Sequence, residues 1–135
     1  MSRIFLDTNF LIDLFDRKEY APAAKEIMDR GLKYGIEFCI SFLSVANFAY
    51  ILRKTERAIL IGYLKDICDI FTVIPNEQNQ ILKATELEAP DLEDAIQYAT
   101  AITNNCDCII TRNGKDFLYS EIPVLTPEGF LKLIY

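Results

Sequence analysis

The sequence predicts an α/β fold, a three-layer α/β/α sandwich around a mainly parallel sheet of four or five strands. Short apolar runs alternate along the chain with segments of helical periodicity, an order typical of a parallel sheet. The chain has 135 residues, of which 51% are hydrophobic and 25% charged. That length and composition indicate one globular domain spanning residues 1–135, and no repeat or linker interrupts it.

The first half of the chain predicts two strands and four helices. Apolar strands are expected at 3–6 and 37–40. The first helix covers 9–15, and the second runs from Pro22 to about Tyr34, where Gly35 stops it. A third helix, capped by Ser41 or Ser44 and ending at Leu52, is nearly all apolar, so we expect it to be buried. The fourth spans 56–69, with apolar residues in register at Ile59, Leu60, Tyr63, Leu64 and Ile67.

The second half predicts strands at 71–74 and 108–111, and the fifth strand of a five-stranded sheet would be a short one at 124–125. A fifth helix, capped by Asn76, carries Ile81, Leu82 and Thr85. Asp91 caps a sixth helix over 92–104, which should turn four residues inward: Ala95, Tyr98, Ala99 and Ile102. Thr126-Pro127-Glu128 begins a final helix that should end near Tyr135.

The composition excludes several classes of chemistry. The chain contains no histidine, which removes Ser-His-Asp and Cys-His catalysis and any zinc or iron site with a histidine ligand. Acid–base chemistry must come from carboxylates, Lys, Tyr or metal-bound water. With 14 basic and 20 acidic residues the net charge is −6, so surface charge alone would not hold a nucleic acid.

The cysteines and the N-terminal segment indicate the compartment. Four scattered cysteines without a CxxC pair are typical of buried apolar residues in a reducing cytosol, and their spacing argues against a zinc site built from all four: Cys39, Cys68, Cys106 and Cys108. The residues MSRIFLDTNF lack a signal-peptide pattern, and the longest uncharged run, 38–52, is too short and polar to span a bilayer. We therefore expect a soluble cytoplasmic protein that does not engage a membrane.

Polar residues follow the predicted strands at their carboxyl ends, where parallel sheets place their functional sites. Asp91 and Asp94, in the first turn of the sixth helix, share one helical face. The candidates that follow strands are Asp7, Thr8 and Asn9 after the first, Ser41 and Asn47 after the second, and Thr111, Asn113 and Asp116 after the fourth.

Carboxylates drawn from distant parts of the chain, without histidine, favour a site for a hard cation such as Mg²⁺ or Mn²⁺. Such an ion would also reconcile the acidic chain with an anionic substrate. Each acid has a structural alternative, because Asp7 and Asp91 can cap helices and Asp94 can complete a capping box. Asp13 either flanks the site or is solvated, and Arg112 and Lys115 could contact phosphates.

Five segments, in this order, resemble a PIN domain, and the second and third are similar to the sequence pattern of a bacterial subgroup. They are IFLDTNFLIDLF (4–15), ISFLSVANFAYILRK (40–54), DLEDAIQYATA (91–101), IITRNGKDF (109–117) and IPVLTPEGFL (122–131). The resemblance implies a Mg²⁺- or Mn²⁺-dependent ribonuclease, often the toxin of a toxin–antitoxin pair and often a homodimer. It therefore implies an RNA substrate and a cognate antitoxin as partners.

Carried over residue by residue, the resemblance makes Asp7 the first acidic metal ligand and Asp94 the one on the sixth helix. Asp116 or Asn113 supplies the last element of the site, and the supporting positions are Thr8, Asn9 and Thr111. The chain departs from the family pattern at Asn47, where many members have Glu, and at Asn113, where many have Asp. We therefore expect Asp7, Asp94 and Asp116 to bind the ion, with Asn47 orienting water.

Three hypotheses follow. The first is a metal-dependent endoribonuclease that cleaves phosphodiesters with metal-activated water. The second is a PIN-like module that has lost cleavage and engages a protein partner, which the neutral Asn47 favours. The third is phosphoryl chemistry on small molecules. A phosphatase of the haloacid-dehalogenase type would need a second Asp two positions after Asp7, where Asn9 stands, and a receiver domain would need an acidic pair near the first strand end.

Overall fold

A five-stranded sheet, described by a computed structural model over residues 2–133, organises the chain. Its strands lie in the order β3-β2-β1-β4-β5, and every neighbouring pair is parallel. The strands are β1 (Arg3–Leu6), β2 (Glu37–Ser41), β3 (Thr72–Ile74), β4 (Cys108–Ile110) and β5 (Val124–Leu125). The chain first builds outward from β1 to β3 and then returns to place β4 on the other side of β1.

Seven α-helices connect these strands within residues 2–133, and a short 3₁₀ helix over Gly114–Phe117 follows β4. They are α1 (Thr8–Phe15), α2 (Ala21–Lys33), α3 (Phe42–Ile51), α4 (Arg57–Ile70), α5 (Gln78–Thr85), α6 (Leu92–Thr103) and α7 (Pro127–Leu133). The predicted α/β class and its parallel sheet are confirmed. The predicted end of the last helix near Tyr135 lies outside the described residues.

The alternation of side chains along each strand divides the core into two layers. Ile4 and Leu6 point to one face of the sheet, where they pack with residues of α1, α2, α3, α4 and α7. Phe5 points to the other face and packs with Tyr98 and Ala101 of α6. These three side chains, Ile4, Phe5 and Leu6, are at most 1% exposed, so the central strand is buried from both sides. Helices on both faces therefore give the predicted three-layer sandwich.

Side-chain caps fix where three of the helices begin. Asp7, Ser41 and Asp91 each accept a hydrogen bond from the backbone N–H three residues later, at 3.1, 2.9 and 3.0 Å. Each cap satisfies one of the N–H groups that a helix start leaves without a partner. Because the caps of α1 and α3 directly follow or end a strand, these helices begin at the carboxyl edge of the sheet.

Left-handed residues end the two helices that precede β2 and β4. Gly35, at φ 71°, follows α2, and Asn105, at φ 58°, follows α6. The N–H of Ile36 reaches back to the carbonyl of Gly31 at 2.9 Å, and Cys106 reaches Ala101 in the same way at 3.0 Å. These are Schellman-type ends, in which glycine or asparagine adopts the positive φ. The predicted stop at Gly35 is confirmed.

Three expectations about burial or capping are wrong: that α3 is buried, that Cys68 is buried and that Asn76 caps α5. In α3 only Ser44 and Phe48 are buried, while Phe42, Tyr50 and Ile51 are at least half exposed. Ile59 of α4 and Ile81 and Leu82 of α5 are also exposed, as is Cys68, whereas the other three cysteines are buried. Glu77, rather than Asn76, is the N-cap of α5, and its N–H donates to Gln80 Oε1 at 3.1 Å. In each helix a single stripe faces the core, so apolar content alone did not identify the buried residues.

No helix between residues 2 and 133 is both long enough and apolar enough to span a membrane.

Candidate active site at the carboxyl ends of the strands

The sheet reverses its direction of growth between β1 and β4, which are neighbours in space but far apart in sequence. At such a switch point the loops after the two strands diverge and leave a crevice, the usual position of a site in open α/β sheets. Asp7 follows β1 and Thr111 follows β4 at this crevice. The Thr111 hydroxyl donates a 2.7 Å hydrogen bond to Asp7 Oδ2 across it.

Asp7 uses each carboxylate oxygen differently. Oδ1 accepts from the N–H of Phe10 and caps α1, while Oδ2 accepts from Thr111. Burial raises the pKa of Asp7, and the hydrogen bonds from Thr111 and Phe10 oppose that rise. Capping and a role in the site are therefore compatible, because each carboxylate oxygen retains lone pairs beyond its one bond.

The loop after β4 is ordered by the same threonine. Thr111 Oγ1 also accepts from the N–H of Asn113 at 3.1 Å, and the N–H of Asp116 donates to the Asn113 carbonyl at 2.9 Å. Asp116 thus lies in the first turn of the 3₁₀ helix and is partly buried, whereas Asn113 is exposed. Asp7 fixes Thr111, and Thr111 in turn fixes the start of the loop that carries Asp116.

The first turn of α6 brings further acids to this edge. Asp91 accepts from the N–H of Asp94, so it caps the helix as predicted. Burial, together with the charges of Asp91, Asp116, Glu93 and Asp7, raises the pKa of Asp94 to about 6. A carboxyl surrounded by like charges holds its proton more tightly. Two acids of the same turn, Asp91 and Glu93, and two from the segments after β1 and β4, Asp7 and Asp116, therefore act on Asp94 at once.

Asn47 of α3 also reaches this group. Its Nδ2 donates to Glu93 Oε1 at 3.3 Å, which links α3 to the acidic turn of α6. Glu93 is exposed, but its partner lies 46 residues away in the chain.

A buried polar network lies beneath these acids and was missed in the sequence. Gln97 of α6 accepts from the Ser41 hydroxyl at 2.7 Å and donates to Ser44 Oγ at 2.7 Å. The Thr8 hydroxyl also donates to Ser44 Oγ, at 2.8 Å. Ser41, Ser44 and Gln97 are each at most 3% exposed. A lone glutamine in an apolar helix gives no signal in one sequence, although two serines near a strand end hint at a polar partner.

The Arg112 guanidinium is held by contacts within the protein. Its Nε and Nη2 each donate to Asp13 at 3.0 Å, and its guanidinium stacks 4.0 Å from the centre of the Tyr20 ring. Arg17 also pairs with Asp13, at 3.3 Å, and contacts Asn9 Oδ1 at 3.5 Å. Asp13 is 5% exposed and therefore flanks the site without being solvated. The interpretation of Arg112 as a phosphate contact stays a prediction, as does that of Lys115, which is exposed.

One further side chain beside the acids is unusual. The Tyr119 hydroxyl is buried and is the only buried side-chain polar atom without a hydrogen-bond partner in the described part of the chain. Its ring packs edge-on against Tyr98, with centroids 5.2 Å apart. Burial and the charge of Asp94 raise the pKa of Tyr119 to about 12, so the phenol is protonated at neutral pH.

The side chains at this edge of the sheet offer carboxylate, hydroxyl and amide oxygens, which are the ligands that a hard divalent cation prefers. Within residues 2–133, no three acidic or cysteine side chains lie close enough to enclose an ion by themselves. Mg²⁺ typically takes one or two carboxylates and completes its shell with water and substrate phosphate oxygens. A cation would also relieve the repulsion that raises the pKa of Asp94. On donor type and charge, the residues therefore fit such an ion.

Comparison with known proteins identifies the family to which this fold belongs. The family model described as PIN domain matches residues 4–119. Ribonuclease VapC1 of Aquifex aeolicus (strain VF5) is 29% identical over 137 residues, covering 95% of this chain and 92% of the relative.

Two solved structures share the architecture. A toxin–antitoxin complex from Klebsiella pneumoniae superposes with a TM-score of 0.67 at 27% identity, over 92% of this chain and 97% of the other. FitAcB from Neisseria gonorrhoeae superposes with a TM-score of 0.74 at 15% identity, over 93% of this chain and 98% of the other. The family match spans most of the chain and agrees with the parallel sheet and its acidic carboxyl edge. The protein therefore belongs to the PIN domain family.

Proposed function

We propose that this protein is a divalent-metal-dependent endoribonuclease and the toxin of a toxin–antitoxin pair. The observation that carries the proposal is the meeting of Asp7 and Thr111 across the switch point, with Asp94 and Asp116 in electrostatic reach of one another. PIN-domain ribonucleases are generally metal-dependent, and the name of the curated relative, ribonuclease VapC1, supports RNA as the substrate.

Asp7, Asp94 and Asp116 would hold the ion, which we propose to be Mg²⁺ or Mn²⁺. When bound, the ion lowers the pKa of a water molecule and neutralises charge on the phosphodiester. Asn47 donates to Glu93 at 3.3 Å and would orient water at the edge of the acidic group. Asn9 and Ser41 would serve as supporting residues, and Asp91 would fix the turn that carries Asp94.

The chain's own residues explain how these acids are held. Thr111 donates to Asp7 Oδ2, so the carboxylate keeps a fixed orientation, and the same hydroxyl anchors Asn113 and the loop to Asp116. The pair formed by Asp13 and Arg112 clamps the loop to α1 from the other side. Lys115 is exposed on this loop, and we propose that it contacts an RNA phosphate.

The toxin assignment rests on the relatives. The Klebsiella pneumoniae structure is a toxin–antitoxin complex, and this chain covers 97% of the chain that it matches there. We therefore propose a cognate antitoxin protein as partner, a homodimeric state and a cytoplasmic location. An antitoxin would present an arginine to the carboxylates, since guanidinium groups bind carboxylates in a bidentate manner.

The test is cleavage of a mixed RNA substrate with added Mn²⁺ or Mg²⁺, comparing the wild type with Asp7→Asn. The variant keeps an oxygen for the α1 cap and removes the charge. We expect metal-dependent cleavage by the wild type and a loss of at least about 100-fold in the variant. The matched control is Asp69→Asn, which removes the same charge from the exposed face of α4 and should cleave like the wild type.

A second function, a binding module that no longer cleaves, is favoured by two observations. Asn47 is neutral, and no three acids within residues 2–133 enclose an ion by themselves. This alternative predicts no cleavage with any metal by the wild type, together with formation of a stable complex with a protein partner. Cleavage that persists unchanged in Asp7→Asn would instead overturn the assigned site and leave the nuclease activity to another part of the molecule.

A further inference from the structure

The buried network of Thr8, Ser41, Ser44 and Gln97 joins the three helices that carry the site. Each member is close in sequence to a candidate site residue. Thr8 is adjacent to Asp7, Ser44 lies one helical turn before Asn47, and Gln97 lies one turn after Asp94 on the same face of α6. The helices themselves are far apart in the chain, because the bonds of Gln97 span 53 and 56 residues.

Gln97 is the hub of this network. Its amide oxygen accepts from Ser41 and its amide nitrogen donates to Ser44, both at 2.7 Å. Ser41 Oγ also accepts from the N–H of Ser44 at 2.9 Å, so the glutamine contacts both residues of the capping bond at the start of α3. With Gln97 only 3% exposed, both of its polar ends are satisfied by protein alone.

A satisfied buried network specifies one arrangement, since any shift leaves a donor or acceptor without a partner and without water. An apolar side chain in this position would fill the same space without fixing the relative positions of α1, α3 and α6. The acids above the network repel one another, as the charges acting on Asp94 indicate. Something must therefore hold the helix starts together against that repulsion.

We propose that Gln97 is a positioning residue that holds the helices bearing Asp7 and Asp94 at the separation required for ion binding. The inference rests on the proposed metal-dependent function for its role, but the contacts that it invokes are independent of that function. Residues that orient metal ligands without touching the metal typically change affinity or activity by about 10–100-fold when mutated. We expect an effect of that size here.

The experiment compares Gln97→Met and Thr8→Val with a matched control, Thr100→Val. Methionine keeps the length of the glutamine, and valine keeps the shape of threonine, so each change removes hydrogen bonds with little change in volume. Thr100 is 2% exposed on the same helix, but its hydroxyl bonds only to the carbonyl of Ile96 within that helix. The control therefore loses a buried hydroxyl without touching the network.

Two readouts separate positioning from general destabilisation. The first is Mn²⁺ affinity, measured by calorimetry on the full chain well below the melting temperature of each variant. We expect Gln97→Met to weaken it by about 10–100-fold and Thr8→Val by a smaller factor, with Thr100→Val unchanged. Equal Mn²⁺ affinity in Gln97→Met and the wild type, or an equal loss in Thr100→Val, would overturn the proposal.

The second readout needs no metal and no activity. The N–H groups of Phe10, Ser44 and Asp94 make the capping bonds of α1, α3 and α6, and their hydrogen exchange reports on the three helix starts. Gln97→Met should raise all three exchange rates together, and Thr100→Val should leave them unchanged. If only the Ser44 rate changes, the network does not join the helices. If the wild type binds no Mn²⁺, the proposed function fails, and these rates still decide the role of Gln97.

Discussion

Replacing Asp94 by Asn should stabilise the protein in the absence of divalent ions. Its carboxyl has a pKa raised from 3.8 to about 6, which corresponds to about 3 kcal/mol for a fully buried group. Asp94 is only partly buried, so solvent screening reduces this to about 1.5 kcal/mol. The charge in the first turn of α6 also interacts favourably with the helix dipole, by about 0.5 kcal/mol. The expected net gain for Asp94→Asn is therefore about 1 kcal/mol near pH 7.5.

The sign of the pH dependence follows from the direction of the shift. Because the folded protein binds this proton more tightly than the unfolded chain, ionisation destabilises the fold as pH rises through the interval from 3.8 to about 6. Urea unfolding of wild type and Asp94→Asn should show a gain above this interval that shrinks toward zero as the pH falls toward 4. Asp69→Asn should show no such dependence. A variant less stable than wild type, or a gain that does not vary with pH, would refute the electrostatic argument.

Three further changes test other parts of the structure. A Cβ on Gly31 would lie 2.2 Å from the Phe38 ring, so Gly31→Ala should lose about 1–3 kcal/mol in urea unfolding despite the better helix propensity of alanine; unchanged stability would mean that α2 shifts freely. Tyr119→Phe removes a buried hydroxyl that has no partner and should leave the free energy of unfolding equal or higher, whereas a loss of more than about 1 kcal/mol would reveal a bond at that atom. Asp13→Asn leaves the Arg112 guanidinium without its charge partner and should cost about 3 kcal/mol, the low end for buried pairs; a loss below about 0.5 kcal/mol, typical of surface pairs, would argue against the clamp.

The sequence predicted the elements whose local signals agree with their tertiary environment. β1 and β4 are short apolar runs buried on both faces, and polar residues mark their carboxyl ends. The caps at Asp7 and Asp91 and the stop at Gly35 follow from backbone chemistry that acts within a few residues. These features do not depend on what packs against them, so one sequence sufficed.

The remaining features depend on partners that one sequence does not reveal. The exposed apolar residues of α3 and α5 could not be separated from core residues, because which stripe of a helix is buried depends on its neighbours. Gln97 has no neighbour in sequence with which it pairs, and its partners lie more than 50 residues away. Arg112 is predicted to contact phosphates, and its pairing with Asp13, 99 residues away in the chain, gives no local signal in the sequence. Long-range polar pairs were thus the part of the site that sequence patterns left out.

Thermal unfolding with and without millimolar Mn²⁺, on wild type, Asp7→Asn and Asp69→Asn, tests the central claim that these carboxylates hold a divalent ion. An ion that binds only the folded state at 100 times its Kd adds about 2.7 kcal/mol. For a chain of this size that raises the melting temperature by on the order of 10 °C. We predict a rise of this kind in wild type and Asp69→Asn that disappears in Asp7→Asn. No rise in wild type, or an equal rise in all three proteins, would contradict the assignment of Asp7 as a metal ligand.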